Sequence, residues 1–592
     1  MRFNDLLLKF LIWRVKHIST KNFTILISGV IGLIAGLAAV TLKETVHQIQ
    51  HILTHNFQAN FSNYLYLSYP LIGIVLTVLL AKYILKEKLG HGITDILYSI
   101  SKKSSIVKRT KTFSRMLTSA ITVGFGGSVG LEAPIVVTGS AIGSNIGRLV
   151  HLSYKQRTLL IGCGSAGAIS AIFNSPIAGV IFSIEVILSE ITINTFIPLL
   201  IASVCGALIS LTLLGDDVLF SFTLTETFNA AETPLYIFLG IFTGLVSLYF
   251  TKSTTFIENR IHNIKGDLNR ALLGGISLGF LVFILPPLYG EGYDTIKLLL
   301  NNRHQEILNN SMFFGEVNSI SFFILFTFGI ILLKPIATAF TIGAGGSGGI
   351  FAPSLFIGGI TGFLFAYLVN MIGLTDPISL SNFTLVGMSG VLSGVLHAPL
   401  TAIFLIAEIT SGYTLFVPLM MVSAISYSTI SYFEKYSIYT KPLIEKGDLI
   451  YHDKDRQVLS LIDLKKIVET DLLTIRSQAK LGELVDLVRF SKRNIFPVLN
   501  EKDELIGIIT LDDIREIMFD SESRKNIIID TLMHKPPTYV SQKESMQSVM
   551  IKFENTGAWN LPVIDDGKYI GFVSKSRIFN AYRKKLIRQQ ID

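Results

Sequence analysis

Charge and cysteine are scarce in this sequence. Charged residues fill 16% of its 592 positions and half of the residues are hydrophobic, whereas soluble proteins carry about 25% charge. Together with a mean hydropathy of +0.53, this excludes a disordered chain and argues against an ordinary soluble enzyme. The only two cysteines, Cys163 and Cys205, lie in apolar stretches. They supply no disulfide framework and no metal-ligand pattern, and read as small buried apolar residues. No basic block interleaved with aromatics occurs, so no nucleic-acid surface is expected. A P-loop, an HExxH motif and a Cys/His cluster are also missing. Two G-x-G-x-x-G matches, Gly162–Gly167 and Gly343–Gly348, sit among membrane-length apolar stretches rather than in a βαβ unit, so an enzyme is not expected.

The scarcity of charge is uneven. Residues 441–592 hold 48 of the 94 charges, which leaves 46 for the first 440 positions. The chain therefore reads as a multi-pass membrane body with a water-soluble tail. Stretches 23–42, 68–86, 194–214, 234–251, 271–288, 319–341 and 415–432 are apolar and near the roughly 20 residues that cross a bilayer. The body has 26 basic and 20 acidic residues, an excess that suits short segments on the cytosolic side. Residues 1–22 carry Arg2, Lys9, Arg14, Lys16 and Lys21 among apolar positions of helical spacing. They are expected to form an amphipathic helix on the inner membrane face; a cleaved signal peptide is the alternative, disfavoured by the charges that interrupt its apolar run.

Between the long stretches lie segments broken by glycine and proline, and the breaks repeat. Gly127-Ser-Val-Gly130-Leu-Glu-Ala-Pro134 is followed, 42 residues after its proline, by Pro176 and then Glu185. Gly346-Ser-Gly-Gly349-Ile-Phe-Ala-Pro353 is followed, 46 residues after its proline, by Pro399 and then Glu408. In both halves the second proline precedes its glutamate by nine residues. Matched interruptions in two halves are the pattern of transporters made of internal repeats, here expected to be inverted. Close packing of small residues would explain one such motif but not two ordered pairs.

Glycine turns opening a helix let backbone N–H groups and the helix dipole hold an anion without a full cation. Three such turns occur, at Gly90-His-Gly92-Ile-Thr-Asp95, Gly130–Pro134 and Gly349–Pro353. Proline fits the first helical turn, so helices are expected to start near residues 133 and 352. Glu132 lies inside the second turn and is the only acid in the second and third. An ionisable group at membrane depth points to function. Its carboxylate could occupy an anion position and leave it when protonated; capping of the helix is the structural alternative. Desolvation favours its neutral form and the helix start its ionised form, and the residues leave that balance open. Acidic rings, which a cation channel would need, are missing from these breaks.

These motifs resemble the CLC family of chloride channels and chloride/proton exchangers, over nearly all of 23–447. The resemblance implies an all-α membrane domain, an inverted repeat of broken, tilted helices, in a homodimer with a pore in each subunit. It implies cytosolic termini, a place in the cell's inner membrane, and chloride or a similar anion as cargo. It makes Glu132 the gating glutamate. The anion would be held by the N–H groups of Ile350 and Phe351, the Tyr439 hydroxyl, and the turn at His91 and Gly92. His91 stands where the family has a serine, and Thr94 where it has a proline. The expected contribution of His91 is a backbone N–H, with a pH-sensitive imidazole donor as the alternative. Leu131 and Ala133 replace the family's basic residue and glycine around Glu132.

Family exchangers carry an inner proton-relaying glutamate directly after the position of Glu185, and here that position is Val186. Valine cannot relay a proton, so channel-like conduction is expected. A chloride/proton antiporter, or transport of another halide or nitrate, with protons moving through Glu132 and water, is the alternative. Glu185 recurs as Glu408 and is expected to be structural.

After a linker at 448–462, the tail contains a second repeat. Asn494-Ile-Phe-Pro497-Val, followed by Gly507-Ile-Ile-Thr510-Leu-Asp-Asp513, is echoed by Asn560-Leu-Pro562-Val and Gly571-Phe-Val-Ser574-Lys-Ser-Arg577. Each unit reads as helix, strand, turn, strand and helix, resembling a cytosolic α+β CBS-domain pair at 463–520 and 527–586. The resemblance implies a possible adenine nucleotide, with Asp513 on the ribose and Thr510 near phosphate. Ser574 matches Thr510, while Arg577 replaces the second aspartate and would suit phosphate better than ribose. No cofactor is required on this reading, and a purely structural or dimerising pair is the alternative.

Overall fold

The computed structural model describes residues 3–54, 62–87, 89–188, 193–215, 227–308, 320–373, 376–410, 412–448, 459, 462–565 and 567–591. The chain forms two compact units, Met1–Leu449 and Ile450–Asp592.

The first unit is helical. It opens with α1 (Phe3–His17), α2 (Thr20–Thr54), α3 (Ser62–Leu79), α4 (Gly92–Lys102) and α5 (Ser114–Gly124). The first repeat motif leads into α6 (Glu132–Leu149), α7 (Tyr154–Phe173), α8 (Pro176–Phe182) and α9 (Ile193–Leu214). Next come α10 (Thr233–His262), α11 (Asp267–Ile284), α12 (Tyr293–Leu300) and α13 (Ile320–Gly343). The second motif leads into α14 (Phe351–Ile372), α15 (Leu380–Leu396), α16 (Pro399–Ile409), α17 (Phe416–Phe433) and α18 (Lys441–Glu445). Among the described residues, eight helical segments are long and apolar enough to cross a membrane. The eighth, Phe351–Ile372, lies outside the seven sequence stretches; it starts inside the Gly349–Pro353 break, where the sequence reads as an interruption. Residues 1–22 do not form one helix either: α1 ends at His17, and Thr20 already begins α2.

The two halves of this unit are built alike. The helix pairs α6/α7 and α14/α15 pack face to face, and each meets at glycine. A Cβ on Gly139 would lie 2.1 Å from the Gly164 carbonyl, and one on Gly358 would lie 2.5 Å from that of Gly387. Small residues thus let helices approach to backbone contact where lipid offers no hydrophobic drive. Helices α7 and α15 end in left-handed residues, Asn174 (φ 53°) and His397 (φ 56°), each followed by the proline that starts the next helix. Outward-facing Leu37, Phe280 and Leu325 are exposed, as a lipid-contacting surface requires.

The second unit holds two α/β modules. In the first, β1 (Ile475–Arg476), α19 (Leu481–Phe490), β2 (Ile495–Leu499), β3 (Leu505–Thr510), α20 (Leu511–Ile514) and α21 (Ser521–Asn526) follow in order. Strand β2 pairs antiparallel with β3 and parallel with β1. The short β1 has too few residues to show an alternating pattern in the sequence. In the second, α22 (Met546–Thr556), β4 (Asn560–Asp565), β5 (Lys568–Ser574) and α23 (Lys575–Ile591) repeat the helix–hairpin–helix order. Of the linker at 448–462, only Asp448, Leu459 and Ile462 are described.

Candidate functional site

The two glycine turns of the repeat motifs meet. Gly130 N–H donates to the Gly349 carbonyl and Gly349 N–H to that of Gly130, both at 2.8 Å. The pairing is antiparallel and reciprocal, as a two-fold relation between halves demands. Flanking bonds obey the same exchange: Ser128 N–H donates to Thr341 Oγ1 (3.1 Å) and Ser347 N–H to Thr122 Oγ1 (3.0 Å). The starts of α6 and α14 are thereby fixed side by side. Neither turn has room for a larger residue, since a Cβ on Gly349 would lie 2.6 Å from that of Ala133.

A further reciprocal pair braces the short helices. The Glu408 carboxylate accepts from the N–H groups of Ile177 (2.9 Å) and Ala178 (2.7 Å) at the start of α8. The Glu185 carboxylate accepts from Leu400 N–H (3.1 Å), Thr401 N–H (2.8 Å) and the Thr401 hydroxyl (2.7 Å) at the start of α16. Each glutamate caps the partner repeat's helix, where an anion is favoured. Val186 follows Glu185 in a π-helical turn, Ser183–Leu188.

Glu132 is the first residue of α6 and is 1% exposed. Its Oε1 accepts a short hydrogen bond from the Tyr293 hydroxyl of α12. Its Oε2 folds back over Gly130, where a Cβ would touch it. The backbone N–H groups of Glu132 and Ala352 lie near the carboxylate, although Oε2 makes no hydrogen bond of normal geometry. The carboxylate thus sits before the first turn of α14, whose ladder leaves the amides of Phe351 and Ala352 unused. Ile350 caps that helix without a side-chain bond. Phe173 and Phe182 pack on the Phe351 ring, with centroids 5.4 and 6.1 Å away, and make the surroundings apolar.

Tyr439 is 2% exposed, and its hydroxyl is buried with no hydrogen-bond partner. Glu132 is close enough to act on it electrostatically. Thr94 Oγ1 donates to the Tyr439 carbonyl at 3.0 Å, tying Tyr439 to the start of α4. His91 caps α4 and Gly92 is its first residue. Arg115, 3% exposed, donates to the Gly90 carbonyl (3.2 Å) and to Asp95 (3.3 Å), and so fixes this turn.

The structure therefore gathers Glu132, Ile350, Phe351 and Tyr439 around the paired turns, with the His91–Gly92 turn joined through Thr94. The His91 imidazole is engaged elsewhere: Nε2 lies 2.8 Å from Glu258 Oε2 of α10. Glu258 thus orients the imidazole through Nε2, toward α10. Three groups that the sequence did not single out also belong here. Glu291 Oε1 accepts from Leu131 N–H at 3.1 Å. Tyr293 holds Glu132. Lys334, fully buried, donates to the carbonyls of Gly290 (2.9 Å) and Leu288 (3.3 Å). A buried lysine in a span and an acid in a Gly-Glu-Gly turn are the signals that would have drawn attention to two of them.

The tail's candidate residues lie in separate modules of the second unit. Asp513 Oδ2 accepts from Thr510 N–H and Oγ1, both at 2.7 Å, so the aspartate caps its own helix. Its remaining oxygen and its exposure leave it accessible to a ligand. Ser574 is buried and donates to Glu469 Oε1 at 2.8 Å, while Glu469 also pairs with Arg493. The second module's hydroxyl is thus already engaged, and Arg577 stays exposed.

Helix starts converging inside a unit with eight described membrane-length helices, with backbone donors and a buried hydroxyl near one carboxylate, define a polytopic membrane protein suited to small anions. A family model described as voltage gated chloride channel matches residues 72–431, and CBS-domain models match 464–520 and 529–584. The chain belongs to the voltage-gated chloride channel (CLC) family of anion-transporting membrane proteins, with a CBS-domain pair C-terminal to the membrane domain in sequence. A putative chloride channel protein ClcB-like from Ralstonia nicotianae is 27% identical, over 71% of this chain and 97% of that protein. An H(+)/Cl(-) exchange transporter ClcA from Vibrio vulnificus is 25% identical, over 69% and 86%. The crystal structure of a eukaryotic CLC transporter superposes with a TM-score of 0.60 at 18% identity, covering 94% of this chain and 99% of that one; it shares the fold.

Proposed function

We propose that the chain conducts chloride through a path lined by backbone dipoles and gated by the Glu132 carboxylate. The observation that carries this reading is the placement of that carboxylate at the first turn of α14, with the buried, unpartnered Tyr439 hydroxyl within its electrostatic reach. An ionised Glu132 fills the position an anion would take. Once protonated, it loses its attraction to the helix start and yields the position to chloride. The N–H groups of Ile350 and Phe351, the Tyr439 hydroxyl and the His91–Gly92 turn then hold the ion. Dipoles without a full cation bind it weakly enough for release.

Channel-like conduction is favoured by Val186, which offers no proton acceptor beyond the cross-capped Glu185. Coupled chloride/proton exchange is the second reading. It is supported by the contact of the His91 imidazole with Glu258 at the α4 turn, where Glu258 Oε1 has no partner. The protein acts as a homodimer in the inner membrane with cytosolic termini, and its tail takes an adenine nucleotide at Thr510 and Asp513, the exposed Arg577 serving phosphate.

The test is chloride flux from proteoliposomes. Glu132→Gln, which mimics the protonated gate, should remove the pH dependence of flux. In the same vesicles, a reversal potential that tracks chloride alone supports the channel, and one that shifts with a proton gradient supports exchange. Cation flux in place of chloride flux would refute both.

A further inference from the structure

A second carboxylate shares the start of α6 with Glu132. Glu291 lies in the turn before α12 and accepts the Leu131 N–H at 3.1 Å, and Leu131 immediately precedes the gate. Tyr293, two residues on, donates to Glu132 Oε1. One short segment, Glu291–Tyr293, therefore holds the gate at two points, the backbone of the preceding Leu131 and the carboxylate of Glu132. The two carboxylates are near enough to interact, yet their access differs: Glu132 is 1% exposed, while Glu291 is half-buried. Positive charge reaches Glu291 from Lys43 on α2 and Lys334 on α13. The groups facing the two carboxylates are thus Tyr293 from α12, Lys43 and Lys334, and Tyr439, which Glu132 also reaches electrostatically.

We infer that Glu291 is a positioning residue of the gate, a like-charge neighbour that makes Glu132 release its anion position on proton uptake. The inference rests on the gating role proposed for Glu132. With both groups ionised, two negative charges share one helix start; such a pair favours taking up one proton. A hydronium ion gives that proton to the pair, one carboxylate becomes a carboxylic acid, and the pair's charge falls from minus two to minus one. When the proton rests on Glu132, its hold on the α14 start is lost. Glu291 stays bound to Leu131 N–H and keeps the helix start in place for the next closure.

Full-length protein in liposomes tests this through the pH profile of chloride flux. Glu291→Gln keeps an oxygen for the Leu131 N–H and removes only the charge. Its midpoint should move to more acidic pH by about one unit, about tenfold in proton concentration. Glu291→Asp, which restores the charge, should return the midpoint toward that of the unsubstituted protein. If Glu291→Gln does not reconstitute, Glu291→Ser makes the same comparison. An unmoved midpoint in the neutral variant, with the pH response abolished in Glu132→Gln, overturns the role of Glu291 and leaves the gate standing. A pH response that survives Glu132→Gln overturns both.

Discussion

Replacing Tyr293 by phenylalanine removes one oxygen atom and isolates the strength of the closed gate. The ring fills the same space, so packing around α12 is nearly conserved. The lost interaction is the hydroxyl donated to Glu132 Oε1, made where Glu132 is 1% exposed and where Oε2 has no normal hydrogen bond to compensate. Hydrogen bonds to charged groups contribute about 1.5–3 kcal/mol. The closed position should weaken by that amount, which shifts the equilibrium between blocked and open path by about 10- to 150-fold. Chloride efflux from proteoliposomes on the alkaline side of the pH profile, where the closed gate dominates, reads the change as faster flux. The control is the double variant: in Glu132→Gln no charged carboxylate remains for the hydroxyl to hold, so Tyr293→Phe should add little there. Equal flux from Tyr293→Phe and the unsubstituted protein, or the same gain with and without Glu132, would refute the reasoning.

Two further outcomes follow from the other contacts. Glu185→Ala and Glu408→Ala each strip the cap from a helix of the opposite repeat, leaving two N–H groups without an acceptor, one of them at a buried residue, Thr401 or Ala178. Each should cost about 1–3 kcal/mol, seen as a lower thermal midpoint of the purified protein in detergent, with the chloride-over-cation preference kept. In the tail, Asp513→Asn keeps an oxygen for the Thr510 N–H but lacks the carboxylate, and Asp513→Ala removes the cap as well. Both should abolish adenine-nucleotide binding by the full chain, and only the alanine variant should also loosen the module, by about 1 kcal/mol. Binding retained in both would remove Asp513 from the site.

Much of this site was legible along the chain because its parts are local. Gly130 and Gly349 mark turns, Pro134 and Pro353 mark first helical turns, and α6 and α14 begin at residues 132 and 351, within a residue of the expected starts. The ordered recurrence of Pro176 with Glu185 and Pro399 with Glu408 exposed the two halves. What the glutamates touch was hidden. Glu185 reaches Thr401 and Glu408 reaches Ala178, and no spacing rule announces partners more than two hundred residues away. His91 was legible as part of a helix-opening turn, but its imidazole meets Glu258, which lies on α10 beyond the apolar stretch 234–251 and gave no separate sign.

The sequence alone determined where the chain can cross a bilayer, where its helices must break and that it is made of two similar halves. Those properties depend on apolar run length and on the backbone preferences of glycine and proline, which act within a few residues. Only the tertiary structure decided that the Gly130 and Gly349 turns bond to each other, and that Glu291, Tyr293 and Lys334 gather around Glu132. Their meeting is set by how the eighteen α-helices described in the first unit pack. In a membrane, each buried polar group must find a partner inside the protein, and the chain path selects which partner that is.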